Sequence, residues 1–436
     1  MEKLNSKDLL LGIQHMFAMF GATILVPLIT GLNPAVALVA AGFGTLIFHV
    51  CTKFEVPVFQ GSSFAFLAAL SATVGTYGIQ YAQGGIMAAG VMYVIFAAIA
   101  LIIGADKIRK IFPAVVTGPV IIVIGLSLTS TGINDAMGPL NAAGEPNALW
   151  LSLLVAAITL TTVIFCSIFS KGFFKLVPIL IGLFVGYVFC VILSFFGLWQ
   201  MDYSPIAQAH WVNIPYVTKD FFTLPKFDWL VILSIAPIAL VTCMEHIGDI
   251  TTNGAVVGKD FFKHPGLHRT LLGDGLATLF AGFIGGPANT TYSENTGVLA
   301  TTKNYNPRLL RIAAVFAIIL GFFGKFGAIL QTIPTPVRGG VELMLFGMIA
   351  AIGIRTLAEA KLDFTHSRNL LIVAVILSIG LGFSATGGLG INIGAVSLTL
   401  SGLFIAVVVG VIMNLLLPQE LESDKTKIEE LEADHE

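Results

Sequence analysis

Seven ionisable side chains stand inside long apolar runs of this 436-residue chain: His15, Glu245, His246, Asp249, Asp274, Glu294 and Glu342. A charge at such depth in a bilayer is costly, so these positions are the first candidates for function. Glu294 lies in GGPANTTYSENTGVLATT, residues 285–302, with two threonines, a tyrosine and a serine just ahead of it. Glu245 and Asp249 are four residues apart and share one face of a helix. Two carboxylates on one face of a dry site are not both ionised, so one of them is expected to hold a proton. That suits a proton carrier. The alternative at each acid is the lining of a wet vestibule or a pair with a basic residue. His15 is either a ligand contact or a packing histidine bonded to the other half of the chain, with Gln14 in a similar role. His246 points about 100° away from Glu245 and reads as structural. Asp274 is expected to hydrogen-bond to the helix that carries Glu245, and Glu342 to pair with Arg338. His49, His264 and His268 are expected at the interface.

Other chemistries find no support. There is no Walker motif, HExxH, GxSxG or dinucleotide-binding fingerprint. Cys51, Cys166, Cys190 and Cys243 lie in or beside apolar runs without CxxC spacing, which reads as packing with neither a disulfide framework nor a metal site. No cofactor is implied. The net charge of −2 and the scattered basic residues form no phosphate-binding surface, so nucleic acid is not an expected partner.

The elements that must position these residues are membrane helices. The chain is 56% hydrophobic and 11% charged, with mean hydropathy +0.91; soluble domains are about 25% charged. Apolar runs near the length needed for a bilayer core of about 30 Å recur throughout. The alternation of a β-barrel is missing. The fold class is therefore an all-α polytopic membrane protein with the lipid bilayer as its surroundings. Fourteen spans are expected: 10–30, 34–51, 58–74, 84–104, 112–130, 148–169, 175–198, 228–250, 266–284, 288–302, 309–332, 335–353, 369–385 and 394–417. The third and tenth look too short or interrupted for plain helices. The N-terminus enters its first apolar run without a cleavage site and reads as a retained helix. The acidic tail reads as disordered or weakly helical. With the N-terminus inside, 19 of the 23 basic residues fall on the cytoplasmic side; the others are Lys219, Lys226, Lys325 and Arg338. This satisfies the positive-inside rule with both termini cytoplasmic.

The two halves repeat. Gln14-His15 matches Glu245-His246 at an offset of 231, and Pro34, Gly42 and Gly44 match Pro265, Gly273 and Gly275 at the same offset. Ser62-Ser63-Phe64 matches Thr290-Thr291-Tyr292 at 228, and Pro113, Val116, Gly118 and Val120 match Pro334, Val337, Gly339 and Val341 at 221. Seven spans per copy is odd, so the second copy is inverted, as in many secondary transporters. Spans 3 and 10 would each hold a short extended segment followed by a half-helix, with free backbone N–H groups pointing at the centre.

QHMFAMFGATILVP (14–27), GSSFAF (61–66), EHIGD (245–249), PGLHR (265–269) and NTTYSENTGVLATTK (289–303) resemble the nucleobase–ascorbate transporter family, and within it the bacterial uracil permeases most. Glu294-Asn295-Thr296-Gly297 with Thr302-Lys303 fits the family signature of an acid or Gln, Asn, any residue, Gly, four residues, Thr and a basic residue. The resemblance covers nearly the whole chain. It implies a homodimer that takes up a nucleobase, uracil, together with protons, by an elevator-like movement. A core domain would comprise 10–104 and 228–333, and a gate domain 105–199 and 334–417. The remainder would be a cytoplasmic N-terminus (1–9), an extracytoplasmic loop (200–227) and a cytoplasmic tail (418–436).

The resemblance also assigns roles. Glu245 and Glu294 would accept hydrogen bonds from the ring N–H groups, Phe64 would pack on the ring, and backbone groups at Tyr292 and Ser293 would reach its carbonyls. Ala22 would line the pocket, and Phe346 would supply an aromatic from the gate. Glu245, Asp249 and His15 would handle the proton. Two residues depart from the uracil-type pattern: Asp249 stands where many uracil permeases have His, and Ser293 where they have Gly. Purine carriers of the same fold often have Asp at the former position, so a xanthine, urate or hypoxanthine symporter is the alternative; those carriers usually have Gln at the position of Glu294.

Overall fold

The computed structural model describes residues 6–139, 148–393 and 396–418; the acidic tail beyond 418 lies outside these. The first half runs α1 (Ser6–Thr30), α2 (Pro34–Cys51), β1 (Gln60–Ser62), α3 (Leu67–Tyr77), α4 (Ile79–Ile103), α5 (Ala105–Ile111), α6 (Ala114–Met137), α7 (Leu149–Phe169) and α8 (Pro178–Phe195). The loop helix α9 (Ser204–Gln208) follows. The second half runs α10 (Trp229–Ile235), α11 (Ile238–Val257), α12 (Leu267–Ile284), β2 (Asn289–Thr291), α13 (Ser293–Thr302), α14 (Arg308–Phe322), α15 (Gly324–Gln331), α16 (Thr335–Glu359), α17 (Ser367–Ala385), β3 (Leu389–Ile393), β4 (Val396–Leu400) and α18 (Gly402–Leu416).

Among the described residues nine helical stretches are long and apolar enough to cross a bilayer: α1, α2, α4, α6, α7, α8, α10 with α11, α16 and α17. This is a multi-pass membrane protein. Its outer side chains suit hydrocarbon: Ile102 is 81% and Phe195 86% exposed. Several of the expected spans are broken, each for a local reason. The helix expected at 228–250 is interrupted at Pro237, which lacks an N–H to donate. The one expected at 309–332 opens at Phe323. There the 200–227 loop supplies partners for the freed backbone: Asn213 N–H donates to Phe322 O at 2.9 Å, and Gly324 N–H to Trp211 O at 2.9 Å. The helix expected from 394 begins only at Gly402. The segment before it is an antiparallel hairpin, β3 with β4, an element the apolar count alone did not separate from a span.

The helices pack in two sets. In one, α12 lies between α2 and α4, and α14 packs on α1 and α2. In the other, α6 runs along α16, α7 packs on α8 and α16, and α17 packs on α6 and α18. Glycine allows the closest of these crossings. A Cβ on Gly90 of α4 would stand 2.9 Å from Gly275 O, and one on Gly275 of α12 would stand 3.1 Å from Gly90 O. Enclosed on two sides, α12 can carry a fully buried Asp274.

Candidate functional site

Two strands of three residues, one from each half, meet inside the first set of helices. β1 and β2 are antiparallel, with Gln60 opposite Thr291, Gly61 opposite Thr290 and Ser62 opposite Asn289. The ladder continues through Ser63 N–H to Ala288 O at 2.8 Å and Tyr292 N–H to Phe59 O at 3.0 Å. Gly61 to Thr290 is the centre of this pair, so the halves are related here at an offset of 229, one more than the sequence match of 228. The match aligned hydroxyl residues; about the Gly61–Thr290 centre Gln60 and Asn289 take equivalent places. Gly61 has no freedom to be anything larger, because a Cβ there would run into the Tyr292 ring.

Extended backbone at this depth needs a partner for every polar group. Ser62 Oγ donates to Thr23 O of α1 at 2.8 Å, Gln60 N–H to Thr45 Oγ1 of α2 at 2.9 Å, and Asn289 Nδ2 to Ala40 O at 3.0 Å. Thr278 Oγ1 of α12 donates to Asn289 O at 2.9 Å. Below the strands lies a buried polar cluster. Gln60 Nε2 donates to Asp274 Oδ1 at 2.6 Å, and His246 Nδ1 stands 2.8 Å from Asp274 Oδ2. His246 Nε2 meets Thr270 Oγ1 at 2.9 Å, and Thr291 Oγ1 donates to Asp274 Oδ1 at 3.1 Å. His246 and Asp274 are therefore bonded to each other and to the strands, which agrees with their reading as structural residues.

The strands lead into half-helices whose N-termini carry no side-chain cap. Neither Ser63, before the short turn Phe64–Phe66, nor Tyr292, before α13, caps the helix that follows. Tyr292 uses its hydroxyl elsewhere, donating to Ser62 O at 2.9 Å. The residue before α13 thus leaves the N–H groups of the first turn uncapped by its own side chain.

Around these ends the structure gathers several of the expected residues. Glu245 on α11 and Glu294 in the first turn of α13 are half-buried and lie within electrostatic reach of each other. One Glu245 oxygen, Oε2, is buried without a hydrogen-bond partner among the described residues, as are Ser63 Oγ and Thr290 Oγ1. Phe64 and Phe346 meet edge to face, ring centroids 5.8 Å apart at 82°. Ala22 is fully buried in α1, beside the Thr23 carbonyl that holds Ser62. Ser293 Oγ donates to Asp249 Oδ1 at 2.5 Å. His15 is fully buried on α1; Asn295 Nδ2 of α13 donates to its carbonyl at 2.9 Å and lies 3.3 Å from its Nδ1, while Nε2 has no partner.

Two expectations need correcting. Glu342 does not pair with Arg338. The guanidinium stands 3.2 Å from Asp135 of α6, an acid that also neighbours Glu342, and donates to Leu28 O of α1 at 2.9 Å. His49 is not interfacial: it is fully buried, with Nε2 2.9 Å from Val58 O, because its helix α2 runs under the β1 approach. Gln60, Asn253 and Asn295 carry polar contacts that ionisable groups alone did not single out; Asn253 Nδ2 donates to Pro57 O at 3.1 Å and Thr296 Oγ1 at 3.0 Å. The signal was present as amides inside apolar runs. A cavity of about 640 Å³ lies apart from Glu245 and Glu294, lined by Asn33, His210, Asp220, Gln331 and Arg338.

Residues 6–389 match the Permease family, that of nucleobase–ascorbate transporters. The chain belongs to this family. It is 43% identical over 430 residues to a probable uracil permease of Pasteurella multocida, covering 99% of this chain and 97% of that one. It is 43% identical to a uracil permease of Bacillus caldolyticus, over 98% and 95% of the two chains, and 38% identical to a uracil permease of Escherichia coli K12, over 95% and 94%. Among solved structures, the transmembrane domain of the cyanobacterial bicarbonate transporter BicA superposes with a TM-score of 0.65 at 15% identity, over 88% of this chain and 98% of that one. That likeness concerns the fold alone. Family membership makes the chain a transporter, and the polar ends at β1 and β2 are where its two halves meet.

Proposed function

We propose that this chain is a uracil:proton symporter of the cytoplasmic membrane. The observation that carries the reading is the pair of carboxylates at the meeting point of the two broken helices, Glu245 with an unpartnered buried oxygen and Glu294 in an uncapped first turn. A planar ring with alternating N–H and C=O groups matches acceptors on the acids and donors on the helix end. A site built that way discriminates against analogues lacking those groups. The names of the relatives support uracil in particular.

In this reading Glu245 and Glu294 take the ring N–H groups, and backbone at Tyr292 and Ser293 takes the carbonyls. Phe64 covers the ring from one side, Phe346 closes the site from the other set of helices, and Ala22 keeps the wall next to it small. Asp249, Glu245 and His15 handle the proton. The first set of helices is the core (10–104 and 228–333) and the second the gate (105–199 and 334–417), within a plan of fourteen spans. The core carries the ligand by sliding against the gate, two copies assemble as a dimer, and both termini face the cytoplasm.

The test is uptake of labelled uracil into vesicles holding the purified protein, with and without a proton gradient, against a panel of competing bases. Accumulation that needs the gradient and is displaced by uracil supports the reading. Accumulation that survives collapse of the gradient removes the symport, and displacement by xanthine in preference to uracil makes this a purine carrier.

A further inference from the structure

We propose that Ser293 is a positioning residue for the transport step: its hydroxyl holds the Asp249 carboxylate away from the ligand and ties α11 to the first turn of α13. The proposal rests on the symport reading above and deepens it. Asp249 sits one helical turn from Glu245, on the same face of α11. Left to themselves, both acids would present oxygens to the same ligand donors. The structure treats them differently. Asp249 Oδ1 accepts the Ser293 hydroxyl at 2.5 Å, whereas Glu245 keeps a buried oxygen with no partner among the described residues. One acid is engaged by the protein and the other stays open for the ligand.

The serine is placed for this task. It is the first residue of α13, between Tyr292 at the cap position and Glu294. A hydroxyl near a helix start often serves the helix's own N–H groups. Here its proton goes across to α11 and not to the first turn of its own helix. Deeper along the two helices, Asn253 Nδ2 donates to Thr296 Oγ1 at 3.0 Å, a neutral contact that holds α11 and α13 together whatever the charge on Asp249. The Ser293 bond is at the ligand end and depends on that charge. The ionisable groups acting on Asp249 are Glu245 on its own helix, Glu294 on α13 and Asp274 on α12, all acids, and Asp274 is already paired with His246. With three acids around it, the serine hydroxyl is the donor the structure offers an ionised Asp249. When Asp249 takes a proton the serine's donor is no longer required, the tie slackens, and Glu245 and Glu294 are free to move relative to each other. Proton arrival is thereby connected to the geometry of the two ligand acids.

The experiment uses the purified full-length chain as wild type, Ser293→Ala, Ser293→Thr, Asp249→Ala and the double variant Ser293→Ala with Asp249→Ala. Equilibrium uracil binding, KM and Vmax of gradient-driven uptake, and melting temperature in detergent are measured for each. Ser293→Ala is expected to lower Vmax about tenfold, the effect of losing one charge-assisted hydrogen bond, with a much smaller change in binding. Ser293→Thr, which keeps the hydroxyl, is expected to restore most of the rate. In the Asp249→Ala background, Ser293→Ala is expected to add nothing further to rate or melting temperature. Wild-type rate in Ser293→Ala, a threonine variant worse than the alanine, or additive losses in the melting-temperature cycle would each overturn the proposal. If the wild type carries a different base from the panel, the uracil reading fails by itself and the same Vmax comparison is made on that base.

Discussion

At the residue scale, the acids divide into those that hold the protein together and those that the proposed function sets against the ligand. Asp274 belongs to the first kind. It accepts from Gln60 and Thr291 and pairs with His246 in full burial, so Asp274→Ala strands an imidazole and an amide. Removing one partner of a buried pair costs about 3–5 kcal/mol. A large fall in melting temperature is expected, and one that bound uracil does not reverse. Glu245 and Glu294 belong to the second kind. Glu245→Gln and Glu294→Gln keep size and shape but replace an oxygen acceptor with an N–H donor that would face a ring donor. Each is expected to weaken uracil binding by about tenfold to a hundredfold, the range for an unsatisfied buried donor, with melting temperature little changed. Calorimetry on the purified variants measures this; near wild-type affinity would take these side chains out of the ligand contact. The carboxylates stood out in the sequence because an acid in an apolar run is conspicuous. The pairing of Asp249 with Ser293 did not, since the two are 44 residues apart.

At the element scale, the two interrupted spans were legible because each broke an apolar run with small hydroxyl residues, and the structure places a strand at both, Gln60–Ser62 and Asn289–Thr291. Their register was not legible. A one-residue change of pairing exchanges the two faces of a strand, and the hydroxyl match at 228 missed the pairing that puts Gln60 and Asn289 in equivalent places. The hairpin of β3 and β4 was missed for a different reason: its residues are as apolar as a helix, and length was counted before alternation. The crossing of β1 with Tyr292 offers a sharp check of the register. Gly61→Ala sets a methyl against the Tyr292 ring and is expected to destabilise by about 1–3 kcal/mol, as overpacking does. Tyr292→Ala alone should also destabilise, by losing a buried ring and the bond to Ser62 O. Combined, the two should cost less than their sum, because the second change removes what the first collides with. Melting curves of the three variants settle it; simple additivity would mean that Gly61 and Tyr292 are not in contact in the protein.

At the scale of the whole molecule, the proposed movement of core against gate requires that contacts between the two sets of helices break while contacts within each set persist. α1 of the core touches α8 of the gate at Gly21, where a Cβ would lie 3.0 Å from Cβ of Ile179. Within the gate, a Cβ on Gly182 of α8 would lie 3.7 Å from Cβ of Val163 on α7. The second separation falls inside the roughly 3.5–4.5 Å between the Cβ atoms of a disulfide and the first is about 0.5 Å short of it, a gap that a small outward shift of α8 opens, so each pair can be converted to cysteines once Cys51, Cys166, Cys190 and Cys243, all free, are replaced by alanine or serine. Oxidising Gly21→Cys with Ile179→Cys is expected to stop uracil uptake and to leave equilibrium binding in place, with reductant restoring uptake. Oxidising Gly182→Cys with Val163→Cys is expected to leave uptake unchanged, because α7 and α8 travel together. The reduced forms control for the substitutions themselves. Full uptake through a completely formed Gly21–Ile179 cross-link would mean that α1 and α8 keep their contact during transport, and that the ligand reaches the other side without the core sliding past the gate.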